Sequence, residues 1–304
     1  MNHQQFKLSA EDRSQFHCYQ WNGSDPQAIF QVVHGGAEHA GRYAPFAEEL
    51  VNSGFAVFAE DHRGHGLTAK TLGDMGPANA LERTCSDVAL LAQYAKKRFP
   101  GIPLVLFGHS LGSLISQLTL IRSGSLFDAI ILSGSPSIDV FTQAQPAIEA
   151  TVAAQGRDVA ADELQLAMFS AFAEAIENPS TPFDWISGDR AEVNKYIEDP
   201  LCGFALFAGA WLDFAQSAGL TMEPEQLRKI PSDKPVFIFS GENDPVHLQG
   251  TAIEDLYNRY RKAGMTRLKK YLYPGGRHEM LNEMNRDEVT SDIISWTKSV
   301  LELH

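Results

Sequence analysis

Cysteine is scarce in this 304-residue chain, with three (Cys18, Cys85, Cys202), scattered and odd in number. That argues against a disulfide framework or a Cys-X-X-Cys metal site and fits a reducing compartment. Basic residues are outnumbered, 25 Lys plus Arg against 38 Asp plus Glu, for a net charge of −13 at pH 7. An acidic surface repels phosphate backbones and anionic headgroups, so nucleic acid is not an expected partner and electrostatic membrane docking is not expected either. No apolar run approaches the ~18 residues of a membrane span. The first sixteen residues lack the basic and then apolar regions of a signal peptide, so a cytoplasmic protein is expected. Internal repeats and low-complexity linkers are missing too. What remains is ordinary globular composition, 44% hydrophobic and 21% charged, in a length that allows one or two domains.

Five short apolar runs carry the fold reading: Ala28–Val33, Phe55–Ala59, Leu104–Phe107, Ala129–Leu132 and Val236–Phe239. Each is bounded by Gly, Pro, Asp or Ser and reads as a strand buried on both faces, as a helix-covered parallel sheet requires. Segments of helical period lie between them: Tyr43–Val51, Arg83–Phe99 and Ala252–Arg261. In the second, Val88, Leu91, Ala92, Ala95 and Phe99 form an apolar stripe, and Lys96, Lys97 and Arg98 suit the negative end of the helix dipole. The alternation predicts an α/β fold, a mostly parallel central sheet flanked by helices. Phe6–Leu8 and Phe16–Trp21 predict an edge hairpin ahead of it.

The alternation stops between about Ser137 and Arg228. This predicts a helical cap over residues 137–228, inserted in a core made of residues 1–136 and 229–304. Its clearest helix is Glu163–Glu177, with Leu164, Ala167, Met168, Ala171, Phe172, Ala175 and Ile176 along one apolar face. The polar side of that helix is acidic (Glu163, Glu174, Glu177), so at most transient membrane contact through the cap is expected.

Gly108-His109-Ser110-Leu111-Gly112 follows a strand and opens the helical segment Leu111–Ile121. A nucleophile on a sharp strand-to-helix turn needs small residues on both sides, so that the backbone can bend without Cβ clashes. Alone the pattern is weak in a chain with 24 glycines; the strand-then-helix context is what makes Ser110 a candidate nucleophile. Its base and orienting carboxylate are expected in the chain order Ser, Asp or Glu, His, at strand C-terminal ends. Asp244 follows the strand Val236–Phe239 in a turn-rich loop, with Glu242 as its rival. His278 follows the strand-like Leu268–Leu272, with His247 as the competing base. Acyl transfer also needs two fixed N–H donors for the developing oxyanion. Leu111, directly after the nucleophile, supplies one; the loop His34-Gly35-Gly36-Ala37-Glu38-His39 supplies the other, read as Gly36. His62 and His65 in Asp61–Gly66 lack Cys or carboxylate partners at metal-ligand spacing, and Asp61, His62 and Arg63 read instead as tying a loop near the oxyanion hole through hydrogen bonds.

These motifs together resemble the monoacylglycerol lipase and lysophospholipase branch of the α/β-hydrolase superfamily. The resemblance runs through HGGAEHAGRY at 34–43, DHRGHG at 61–66, GHSLG at 108–112, DPLCGF at 199–204, GENDPV at 241–246 and GGRHEMLNE at 275–283. It implies a Ser110–Asp244–His278 triad, an oxyanion hole from the Gly36 and Leu111 amides, and a cap over an acyl-binding pocket, with no cofactor and no metal. Two positions depart from the pattern: Ser113 stands where many relatives have a second Gly, and Gly188 where bacterial relatives often have Arg. The expected activity is hydrolysis of single-chain lipid esters, monoacylglycerols or lysophospholipids. A small-ester carboxylesterase or a proline-iminopeptidase-like aminopeptidase with the same triad stays open. The peptidase needs a pocket carboxylate, for which Glu174 and Asp213 are the candidates. A non-catalytic binding protein of the same fold would show a damaged triad.

Overall fold

Each apolar run in the sequence becomes a strand of one eight-stranded sheet in the computed structural model, which describes residues 2–303. The strands are β1 (Asn2–Ser9), β2 (Gln15–Asn22), β3 (Ala28–Val33), β4 (Phe55–Glu60), β5 (Leu104–His109), β6 (Ala129–Ser133), β7 (Val236–Gly241) and β8 (Leu268–Tyr273). Their spatial order is β1-β2-β4-β3-β5-β6-β7-β8. β3 to β8 run parallel, while β1 and β2 form the expected antiparallel hairpin, whose strand β2 also pairs antiparallel with β4.

β3 to β7 are buried at every position, and their side chains alternate between two cores. Ile29, Phe58, Leu106, Ile130 and Ile238 face α2 (Ala80–Arg98) and α3 (Leu111–Ser123). Phe30, Val57, Phe107, Ile131 and Phe239 face α1 (Ala44–Asn52) and α10 (Arg286–Val300). Burial on both faces is why these strands read as nearly continuous apolar runs, broken in β3 by Gln31. β8 differs: it closes one edge and exposes Lys269, Lys270 and Tyr271.

Between β6 and β7 the chain adds no strand to the sheet. It forms α4 (Ile138–Gln155), α5 (Asp162–Glu174), α6 (Arg190–Glu198), α7 (Ala208–Ala218) and α8 (Pro224–Leu227), then returns to the sheet. One isolated bridge pairs Ala160 with Phe207. The α9 helix (Thr251–Lys262) joins β7 to β8.

α5 corrects the sequence expectation in two ways. It ends at Glu174, not Glu177, and its face is rotated: Ala167, Ala171 and Ala175 are exposed, while Gln165 and Ala173 are buried. The polar residue goes inward because both ends of its amide are satisfied, Nε2 by Phe204 O at 2.5 Å and Oε1 by Leu206 N–H at 3.0 Å. An apolarity pattern is blind to such pairing.

Two close approaches fix the functional end of the sheet. A Cβ at Gly112 would stand 2.1 Å from Val33 O and 2.3 Å from His34 O, so α3 meets the end of β3 backbone to backbone. A Cβ at Gly241 would stand 2.2 Å from the carbonyl of Gly276, so the loops after β7 and β8 touch in the same way. Backbone cannot yield as a side-chain tip can. Gly112→Ala is therefore expected to destabilise the fold by about 3 kcal/mol, at the top of the overpacking range, measured as a lowered urea midpoint.

Candidate active site

Ser110 lies between β5 and α3 with φ +52° and ψ −121°, a conformation that non-glycine residues rarely adopt. Holding a residue there costs about 1–3 kcal/mol, and neighbouring structure must enforce it. The Ser110 N–H donates to Ser133 O at 2.9 Å, and its carbonyl accepts the Ser113 N–H at 2.9 Å. Gly108 is needed because a Cβ there would meet Ser116 Oγ at 2.3 Å and Gly112 O at 2.6 Å. Ser113, the first departure from the family pattern, is buried with its Oγ 2.6 Å from that of Ser135.

Asp244 and His278, 34 residues apart, are brought together by the loops after β7 and β8. His278 Nδ1–H donates to Asp244 Oδ2 at 2.9 Å. That carboxylate also accepts Ser240 Oγ at 2.6 Å and, through Oδ1, the Val246 N–H at 2.8 Å. Both residues are buried. Burial alone would raise the Asp244 carboxyl, but the His278 charge and these hydrogen bonds overcome it and hold it near 2. For His278 burial pulls the imidazole down, yet Asp244, with Glu279 and Glu38 behind it, lifts it above its ordinary value. His278 Nε2 has no hydrogen-bond partner among the described residues. Its ring lies 4.7 Å from that of His109, the residue before Ser110, and 5.2 Å from that of Trp185.

The rivals are accounted for. Glu242 is exposed. His247 is fully buried, with Nε2–H on Gly241 O at 2.7 Å and Nδ1 accepting the Gly250 N–H at 2.6 Å, so neither nitrogen is free.

Gly36, Ala37, Ser110 and Leu111 line a partly open, mostly apolar cavity. Its remaining wall is Pro136 and Ser137, then Val140 and Phe141 of α4, Gln165, Met168, Phe169 and Phe172 of α5, and Trp185, Leu206, Trp211, Phe214 and Val246. Of the phenylalanines between β6 and β7, Phe183, Phe204 and Phe207 are absent from this wall. Phe183 packs on Tyr196 and Phe204 on His65. No charged side chain lines the cavity. Glu174 is exposed, and Asp213 is buried elsewhere, paired with Arg157 at 2.7 Å and accepting the Ala80 N–H at 2.8 Å.

The surrounding polar network was not legible in the sequence. Arg42 grips Glu279 with both guanidinium ends, at 2.8 and 2.7 Å, and Glu38 at 2.5 Å. Glu38 also accepts the Gly35 N–H at 2.6 Å and the Tyr43 hydroxyl at 2.9 Å. Asp61 ties its loop as expected, accepting the Ala40 and Leu67 N–H groups and the Tyr19 hydroxyl. The His62 N–H donates to His34 Nε2, and its Nε2–H to His34 O. Gly188, the second departure, donates its N–H to Glu283 Oε1 at 2.7 Å, and that same oxygen accepts the Arg277 N–H. His39, Asp199 and Cys202 form the one grouping among the described residues with metal-ligand atoms close enough to share an ion. Arg42 acts electrostatically on Cys202 there, and a resident cation opposes a second.

A general base must be neutral to act. The raised His278 imidazole therefore predicts that kcat/KM for esters climbs with pH through an inflection above 6.5. Asp244→Asn removes the strongest effect that lifts the imidazole, leaving burial opposed only by Glu279 and Glu38, and frees the tautomer, so the inflection should move down and the rate fall by about 10⁴-fold. A pH–rate profile of both proteins checks this. The same pair stabilises the fold at low pH: protonated His278 contributes fully below 6.5, and the contribution is lost as pH rises through its higher folded value.

Comparison with known proteins agrees with this architecture. The family described as serine aminopeptidase, S33 matches residues 24–285. A monoacylglycerol lipase of Mycolicibacterium smegmatis is 27% identical over 279 residues, covering 91% of this chain and 90% of its own. A monoglyceride lipase homolog of Monkeypox virus is 27% identical over 290 residues, covering 94% of this chain and 95% of its own. A solved structure of a thermostable carboxyl esterase from Bacillus coagulans, in complex with glycerol, superposes with a TM-score of 0.90 at 29% identity, covering 99% of each chain. By fold, by site layout and by this family match, the chain belongs to the α/β-hydrolase family described as serine aminopeptidase, S33.

Proposed function

We propose that this protein is a serine carboxylic-ester hydrolase acting on monoacylglycerols through an acyl-enzyme on Ser110. His278 Nε2 takes the Ser110 proton as Oγ attacks the ester carbonyl, and the Gly36 and Leu111 N–H groups hold the oxyanion. Asp244 keeps the imidazole in the tautomer with Nδ1–H and stabilises its cation. His278 then protonates the departing alcohol, and water hydrolyses the acyl-enzyme by the same route in reverse. Residues 137–228 are the cap and residues 1–136 with 229–304 the core, so the acyl chain lies between them. Three free thiols favour a reducing, cytoplasmic setting.

The observation that carries this reading is the apolar cavity that Ser110 lines together with aromatic and aliphatic side chains of the segment between β6 and β7. Each methylene buried in it contributes about 0.8 kcal/mol, which a short ester forgoes. The uncharged lining also favours monoacylglycerols over lysophospholipids. A lysophospholipid brings a phosphate, and the nearby Arg42 is already committed to Glu38 and Glu279. The glycerol head of a monoacylglycerol needs no cation. The glycerol bound by the related carboxyl esterase supports the same class. An aminopeptidase would hold its substrate amine with a pocket carboxylate, and neither Glu174 nor Asp213 lines the cavity.

Hydrolysis of 1-monoacylglycerols of increasing chain length is the test. Rates should rise with length, fall to background in Ser110→Ala, and drop at least about tenfold when lysophosphatidylglycerol of the same chain replaces the monoacylglycerol, a loss of ~1.4 kcal/mol. Activity that survives in Ser110→Ala, or that is confined to short esters, overturns the proposal.

A further inference from the structure

The residue after Gly36 is held more firmly than the turn itself requires. Ala37 has φ +54°, in the left-handed region that favours glycine, and is buried. All of its backbone hydrogen-bonding capacity is spent. Its N–H donates to His65 Nε2 at 3.2 Å, and its carbonyl accepts both the Tyr196 hydroxyl at 2.9 Å and the Gly203 N–H at 2.9 Å. His65 is a committed acceptor: its Nδ1–H donates to Arg63 O at 2.9 Å, and burial holds the imidazole down to about 3, hence neutral. Upstream of Gly36, the Gly35 N–H is fixed by Glu38 at 2.6 Å. The Gly36 N–H itself makes no hydrogen bond among the described residues.

Two of the three bonds to Ala37 come from the segment between β6 and β7: Tyr196 is in α6, and Gly203 is in the loop after it. The same segment adds the His39–Asp199 contact at 3.0 Å and the Tyr196 ring against the Arg42 guanidinium, 4.9 Å from the ring centroid. Tyr196 is buried and does not line the cavity. Its hydroxyl reaches the proposed chemistry only through the Ala37 carbonyl.

We propose that Tyr196 is a positioning residue for the oxyanion hole, its hydroxyl fixing the Ala37 peptide and thereby the direction of the Gly36 N–H. The inference rests on the reading of Gly36 and Ser110 given above. It assigns this helical segment a part in stabilising the transition state, besides enclosing the acyl chain. A donor aimed in advance stabilises developing charge without reorganising during the reaction, and a loosened loop gives up part of that.

Tyr196→Phe removes the hydroxyl and keeps the ring on Arg42. With rates normalised to the folded fraction, kcat on a 1-monoacylglycerol should fall about tenfold with KM changed less than about twofold, less than outright loss of one donor produces. The affinity for a trifluoromethyl ketone of matching chain, which forms a tetrahedral alkoxide on Ser110, should fall by the same factor. The affinity for the corresponding long-chain alkanol, which fills the cavity without an oxyanion, should stay unchanged. Wild-type kcat in Tyr196→Phe overturns the proposal. So does a parallel loss of alkanol affinity, which would make Tyr196 a determinant of cavity shape. Ser110→Ala separates the two readings: if it retains activity, the reaction assignment and this proposal both fall. If it is inactive while Tyr196→Phe turns over normally, this proposal falls alone.

Discussion

The first turn of α3 packs against the end of β3 so closely that no methyl group fits at position 112, and the candidate site follows from that contact. It draws the helix N-terminus beneath the loop His34–His39, so Gly36 meets the Leu111 side chain; a Cβ on Gly36 would lie 3.3 Å from Leu111 Cδ2. It also forces the chain to leave β5 through one strained residue, Ser110, held by a hydrogen bond to Ser133 on the neighbouring strand. The strain is tolerated because the sheet on one side and the helix on the other leave no alternative path.

The other parts are arranged around that turn by sheet order. Ser110, Asp244 and His278 follow β5, β7 and β8, and the parallel sheet puts all three strand ends on one edge. Because the chain leaves after β6 and returns to pair β7 directly beside it, a long helical segment is inserted without breaking a strand pair. The segment is joined to the loops beneath it through backbone. Trp185 O accepts the His278 N–H at 3.4 Å, and Ile186 O accepts the Glu279 N–H at 2.7 Å. With the Ala37 contacts, both sides of the proposed chemistry lean on the same insertion. Charge near it is partly balanced: Arg42 bridges Glu38 and Glu279, offsetting one of their two charges, and the remaining negative charge favours the His278 cation.

Much of this was legible in the residues. The buried strands announce themselves as short, mostly apolar runs, since burial on both faces leaves little room for polar residues; Gln31 in β3 is admitted by its hydrogen bond to Val88 O. Ser110, Asp244 and His278 fall in Gly- and Pro-rich loops at strand ends, where local sequence marks a turn. Less legible were features that depend on pairing across the chain. Gln165 turns inward because Phe204 and Leu206 meet both ends of its amide. Arg42 pairs with Glu279, 237 residues away. That the His65 acceptor goes to the Ala37 N–H is set by tautomer and tertiary position. Helical period could place an apolar stripe on α5 but could not say which of its flanks faces the core.

The open edge of the sheet has a consequence of its own. A parallel edge strand with unpaired N–H and C=O groups invites another chain to extend it. β8 exposes Lys269 and Lys270 in mid-strand. The Lys269 ammonium lies 4.2 Å from the Phe237 ring centroid, and Lys270 pairs with Glu254 beside the Tyr257 ring. A ninth strand from another copy would have to strip water from both ammonium groups and crowd them with its own side chains. The pair of lysines thus guards a surface that would otherwise template aggregation, and the sheet ends at eight strands.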